Sequence, residues 1–269
     1  MAGTGRKRAL CVGVNAYPTS PLYGCVSDAR AWKKTLEGLG FAVELVTERE
    51  ATREAILGRL GALVRDARAG DVLAFQFSGH GTQVPDTSGD EPDNKDEALC
   101  PVDFAAGRLI VDDDLAPIMR AVGRQVNLTC FIDCCHSGTI SRMGPGAAPA
   151  PPAGDERPRY VEATAELIAS HRAFRRQLGG VRAVRAAPLR EVLFAACQPS
   201  ELAWESKGQG DFTRWAAPRL LSSAGRVTNE AFHVQVVKGF GAAPRQTPML
   251  TCSATARRRI LLAPLAVVA

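Results

Sequence analysis

Short apolar runs alternate along this chain with segments whose apolar residues recur every three or four positions. RALCVGV (8–14) has the length and continuity of a buried strand. VSDARAWKKTLEGLG (26–40) places Ala29, Trp32, Leu36 and Leu39 on one helical side and closes on glycines. The alternation continues with a strand at 41–47, a helix at 52–67 and a strand at 71–77. A hairpin through LCPVD and GRLIV, a helix at 113–123 and the strand NLTCFID (127–133) follow. After Ser141, RMGPGAAPAPPAGDERPR (142–159) is too rich in Pro, Gly and Ala to hold regular structure over most of its length, and it reads as a linker or loop. The pattern then resumes with a helix at 160–178, a strand at 190–197, helices at 212–223 and near 228–238, and a closing strand at 248–254.

Continuous apolar strands separated by helices predict an α/β fold with a mostly parallel central sheet and helices on both faces. At 269 residues, 46% of them apolar, the chain suits one large domain. Its three parts are a first half (1–141), the Pro-rich segment (142–159) and a second half (160–269). Net charge is +5 with acids interspersed among the arginines, which gives no nucleic-acid footprint. No apolar run approaches the roughly 20 residues of a bilayer span. The start of the chain lacks the length and cleavage site of a signal peptide. Eight cysteines scattered through apolar runs fit a reduced, cytoplasmic protein.

In such sheets functional groups gather beyond the carboxyl ends of the strands. DVLAFQF ends in SGHG, with His80 between two glycines, and NLTCFID ends in CCHSG. A thiol becomes a strong nucleophile beside an imidazole, which can take its proton and later protonate a leaving amine. Exposed backbone at Gly81 could join the nucleophile's own N–H in holding an oxyanion. Two other thiol chemistries fit less well. Arg142 lies seven residues after Cys135, one too many for a phosphate cradle closed by Cys and Arg. Cys134, Cys135 and His136 are consecutive, so they cannot easily converge on one tetrahedral zinc ion.

SGHGTQ (78–83) followed by DCCHSG (133–138) resembles the metacaspases, caspase-like cysteine proteases, in their bacterial form. GCVSDA (24–29), GDEPDNKDEALCPVDF (89–104) and IVDDDL (110–115) match the family in the same order. FAACQPSELAWE and GDFTRWA resemble the second half of bacterial caspase-like domains. The resemblance implies a caspase-like fold with Cys135 as nucleophile, His80 as general base, and Gly81 and Cys135 as oxyanion donors. His136 is then a motif residue, and Cys134 fills a variable position. It also implies that Asp28 and Asp133, with Cys25 and Ser78 beside them, line a pocket for a basic side chain. That makes the protein a cysteine endopeptidase cutting after Arg or Lys, with protein or peptide substrates and a monomeric state. Calcium is implied as an activator bound near Asp96, Asp112 and Asp113. Arg142, however, stands where the family carries a further ligand, and Asp112 and Asp113 also suit the start of a helix. The basic loop carrying Arg142, Arg157 and Arg159 is a candidate for self-cleavage. The rival reading is a catalytically silent caspase-like scaffold that binds basic peptides.

Overall fold

The computed structural model describes residues 5–86, 95–135, 154–179 and 191–266. His136, Arg142 and the Pro-rich segment up to residue 153 lie outside the described residues. Among those described, six strands form the central sheet: β1 (Lys7–Gly13), β2 (Ala42–Thr47), β3 (Val72–Ser78), β7 (Asn127–Asp133), β9 (Val192–Ala195) and β12 (Met249–Thr251). Their order is β12-β9-β7-β3-β1-β2, and every pairing except β12 with β9 is parallel. The expected hairpin is a three-stranded antiparallel unit, β4 (Gly81–Pro85), β5 (Lys95–Leu99) and β6 (Ile110–Val111). Its first strand starts directly after His80.

Two apolar layers cover the sheet, as continuous apolar strands require. Leu10, Val12, Phe75, Phe77, Leu128 and Ile132 face one layer, together with Ile56 and Leu60 of α2 (Arg53–Arg65). Ala9, Cys11, Val72, Ala74 and Phe131 face the other. There they meet Trp32 and Leu36 of α1 (Cys25–Gly38), Phe212 and Leu220 of α5 (Asp211–Ser223) and Phe232 of α6 (Asn229–Gly239). Side chains of a strand alternate between faces, so one apolar run feeds both layers. The remaining helices are α3 (Asp112–Arg120), α4 (Ala165–Gln177) and the short α7 (Ala254–Arg257). No helix of the described residues is long and apolar enough to cross a membrane.

Two expectations change. The helix placed at 160–178 starts only at Ala165, where the Thr164 hydroxyl accepts from the Leu167 N–H at 3.2 Å and caps it. Residues 160–163 are not helical. The Pro-rich segment also ends in structure: Arg157–Pro158 forms β8, which pairs antiparallel with β10 (Trp204–Ser206), next to β11 (Gln209–Gly210). Proline is compatible with this edge position because an edge strand leaves one side without ladder bonds.

An aromatic row runs through the second layer. The Trp32 and Phe131 rings lie 4.4 Å apart, Phe131 and Phe194 stack at 5.4 Å, and Phe232 meets Phe194 edge-on at 5.2 Å. Trp32 Nε1 donates to Thr213 Oγ1 at 3.0 Å, and that hydroxyl donates to Asp133 at 2.7 Å, which ties the packed row to the end of β7. Phe131→Ala is expected to cost about 3–5 kcal/mol of unfolding free energy. Urea denaturation checks this, and a loss below ~1 kcal/mol would mean that the row is not a core element.

Candidate active site

Parallel pairing of β3 and β7 sets Ser78 opposite Asp133. His80 and Cys135 each follow those partners by two residues, so both leave the sheet at the same level. The tips are in contact. A Cβ on Gly81 would collide with the Cys135 carbonyl, so glycine is needed there for close approach rather than for its conformation.

His80 is held from several directions. Its N–H donates to the Tyr17 hydroxyl at 2.9 Å, its carbonyl accepts from Cys100 N–H at 2.9 Å, and its ring packs 4.5 Å from the Tyr17 ring. Ring Nε2 lies 2.7 Å from the Ser20 carbonyl oxygen. That oxygen can only accept, so Nε2 carries the proton and Nδ1 is left as the basic nitrogen. Nδ1 is buried and makes no hydrogen bond. Burial lowers the imidazole's pKa to about 4, partly opposed by the Ser20 carbonyl, so the ring is neutral and able to accept a proton at neutral pH.

Cys135 is fully buried. The Ala203 N–H donates to its Sγ at 2.6 Å, and the Ala203 carbonyl lies 3.4 Å away. Cys134 is buried in the opposite apolar layer, where burial drives its thiol pKa well up. The two sulfurs of the doublet therefore belong to different faces of the sheet.

Asp28, in the first turn of α1, and Asp133, at the end of β7, meet in one fully buried pocket. Glu205 of β10 adds a third carboxylate that sequence reading did not single out. The pocket is filled by Arg159, which was expected in a loop and is 0% exposed. Its Nη2 lies 2.5 Å from Asp28 and 3.3 Å from Glu205, and its Nη1 lies 3.0 Å from the Asp133 carboxylate and 3.1 Å from the Asp133 carbonyl. Each acid is also held by the backbone. Asp28 accepts from Gly210 N–H at 3.1 Å, Asp133 from Thr213 N–H at 3.1 Å, and Glu205 from Tyr23 N–H at 2.7 Å and Gly24 N–H at 3.1 Å. A side chain at Gly210 would run into Arg159 and Asp133. Cys25 forms part of the wall, with its Sγ 3.7 Å from Glu205, while the Ser78 hydroxyl is turned to Gln76 at 2.7 Å.

Burial raises the Asp28 pKa to about 7 against the pull of Arg159, and it raises Asp133 as well. For Arg159 burial acts downward, but the surrounding acids, Asp133 foremost among the carboxylates, more than offset it and hold the guanidinium's pKa well above its usual value. The pocket is therefore a strong trap for a guanidinium. The Arg159 main chain completes the arrangement. Its carbonyl oxygen accepts from both Gly81 N–H at 3.1 Å and Cys135 N–H at 3.2 Å, and its N–H donates to the Ala203 carbonyl at 2.8 Å. Two N–H groups aimed at one carbonyl oxygen are the geometry that an oxyanion hole requires.

The implied metal ligands are arranged differently. Asp112 and Asp113 open α3, where acids favour the helix N-terminus, and the β5–β6 register carries Asp96 toward the same corner. No three acid, His or Cys side chains gather around a metal-sized site among the described residues, and the Arg175 guanidinium stands 3.6 Å from Asp113. Among the described residues, Asp96, Asp112 and Asp113 do not by themselves gather into a metal-sized site.

A family model for the metacaspase, peptidase C14 domain matches residues 7–143. The chain belongs to the metacaspases. Metacaspase-1 of Cryptococcus neoformans is 42% identical over 148 residues, which are 51% of this chain and 32% of that one. Metacaspase-2 of Trypanosoma brucei brucei is 41% identical over 146 residues, 49% of this chain and 42% of that one. The chain thus covers well under half the length of either relative. A crystal structure of a Geobacter sulfurreducens protein superimposes over 97% of this chain and 100% of its own, with a TM-score of 0.77 at 26% identity. The caspase-like α/β fold and membership of a family of cysteine-type endopeptidases follow.

The depressed His80 pKa has a consequence for stability. The folded ring gives up its proton near pH 4 and a free histidine near 6.5, so the unfolded chain binds more protons between those values. Stability from this group is complete above pH 6.5 and falls by about 3 kcal/mol as pH drops to 4. The raised Asp28 pKa acts with the opposite sign, losing stability as pH rises through about 7, but it is common to wild type and a His80→Gln variant. The difference in unfolding free energy between the two proteins should therefore shrink from pH 7 to pH 4. Parallel curves would contradict a buried neutral ring.

Proposed function

We propose that this chain is an endopeptidase that cuts peptide bonds after arginine, and more slowly after lysine. The observation that carries the reading is Arg159, whose guanidinium fills the three-carboxylate pocket while its carbonyl oxygen rests on Gly81 and Cys135 N–H. A substrate arginine in that place would present its carbonyl carbon to Cys135. His80 Nδ1 takes the thiol proton, and Sγ attacks the carbonyl while the two N–H groups hold the oxyanion. His80 then hands the proton to the leaving amine, and water opens the thioester with the same imidazole as base.

Preference for arginine follows from the geometry: Nη1 and Nη2 go to different carboxylates, whereas lysine offers a single nitrogen. An aspartyl side chain would meet three acids. Substrate strands would pair with β10 as β8 does, so extended peptides fit better than helices. Eight free thiols suit a reducing compartment such as the cytoplasm.

Peptides ending in Arg, Lys or Asp before a fluorogenic amine test the reading. Arg is expected to exceed Lys by about tenfold in kcat/KM, and Asp to be inert. Cys135→Ala should abolish hydrolysis, and Asp28→Asn should lower kcat/KM for Arg by about ten- to a hundredfold, the worth of one charge-assisted hydrogen bond. Equal rates for Arg and Asp would sink the specificity. Binding of arginyl peptides with no hydrolysis under any condition would favour the silent scaffold. The same assay run with calcium and with chelator settles activation: a calcium-dependent rate would mean a site completed by residues outside those described, and an unchanged rate removes calcium from the account.

A further inference from the structure

The residues before Arg159 mark where the rest of a bound peptide would lie. Pro158 pairs with Trp204 and Arg157 with Glu205. Side chains of an extended strand alternate between faces, so Arg157 and Arg159 share one face, and Pro158 and Glu156 share the other. The first face carries the acidic pocket, and the Arg157 guanidinium lies 5.6 Å over the exposed Tyr23 ring. The second face carries Trp204, with the guanidinium of Arg245 5.2 Å over its ring. There Arg245 Nη1 meets the Glu156 carboxylate at 2.8 Å.

Contacts other than Glu156 also hold Arg245. Its Nε and Nη2 both lie on Asp211 Oδ2, at 2.8 and 2.7 Å, and its flat face lies on Trp204. The next residue, Gln246, is fully buried, and its side chain accepts from the Trp204 N–H at 2.8 Å and donates to the Ala196 carbonyl at 2.9 Å. Asp211 also serves Arg214 at 3.4 Å, so two guanidiniums share one carboxylate and one positive charge is left over. An ion pair at the solvent edge is worth little when two long side chains must be ordered to make it. Here one of the two is held by Asp211 and Trp204 as well, which reduces that cost.

Resting on the peptidase reading, we infer that Arg245 is a specificity-determining residue, which binds a carboxylate side chain three residues before the arginine at which the enzyme cuts. The favoured substrates are then extended peptides of the pattern acid, two further residues, arginine. Glu156 stands where that acidic side chain would stand. A basic side chain in the same place would face the leftover positive charge and be disfavoured.

Three peptides, ERPR, QRPR and KRPR, each joined to a fluorogenic amine, are offered to wild type and to Arg245→Gln. The chain's own segment competes equally with all three, so the ratios between them are unaffected by it. In wild type kcat/KM should fall in the order Glu, Gln, Lys, with Glu ahead of Gln by about three- to tenfold. In Arg245→Gln the Glu and Gln peptides should come within about twofold of each other, with cleavage after arginine retained. A merely structural role for Arg245 would slow all three peptides alike and leave their ratios unchanged. No preference for the Glu peptide in wild type would overturn the inference, as would the same preference persisting in Arg245→Gln. Should that variant fail to fold, wild type decides through salt: the ratio of Glu to Gln should approach one at about 1 M sodium chloride, and a ratio indifferent to salt overturns the inference. Hydrolysis of none of the peptides by either protein would instead overturn the peptidase reading, and the inference with it.

Discussion

The parallel pairing of β3 with β7 is the constraint on which the rest of this protein depends. It sets Ser78 level with Asp133, so His80 and Cys135 each leave the sheet two residues later from neighbouring strands. A slip of one residue would send Cys135 toward the layer that holds Cys134 and exchange the places of the two sulfurs. Both strands are apolar on two faces, and each face meets its own helices, so the register is fixed by packing on both sides. The placing of the two strand tips side by side is a by-product of that packing.

Electrostatics then decides what the site holds. Three carboxylates are buried around one guanidinium, and burial pushes Asp28 and Asp133 upward even beside it. Backbone N–H groups from Tyr23, Gly24, Gly210 and Thr213 hold the acids in place around the guanidinium. Removing one partner of a buried ion pair typically costs 3–5 kcal/mol. A pocket of this kind favours holding a guanidinium over standing empty.

Much of this was legible in the sequence. The long apolar runs and the helical stripe of Ala29, Trp32 and Leu36 mark the sheet and its covering layer because period and length are strong signals there. SGHG and DCCHSG mark the two tips. Glu205 was harder: β10 has three residues and β11 two, too short for any period to register. Ser20 contributes a backbone carbonyl to His80, and a backbone role leaves no trace in side-chain type. Arg159 was read as part of a loop because Pro and Gly precede it. Its burial comes from three acids lying 131, 46 and 26 positions away, which no local pattern contains. The helix expected from Tyr160 begins late for the same reason, since the backbone at Gly81 claims its first residues.

The account stands on one sulfur among eight being the nucleophile and on its serving a pocket that recognises a guanidinium. Alkylation by an arginyl chloromethyl ketone, with peptide mapping of the labelled residue and an aspartyl reagent alongside, measures both at once. The account predicts label on Cys135 alone, and from the arginyl reagent alone. Label on Cys134, or equal labelling by the aspartyl reagent, would contradict it.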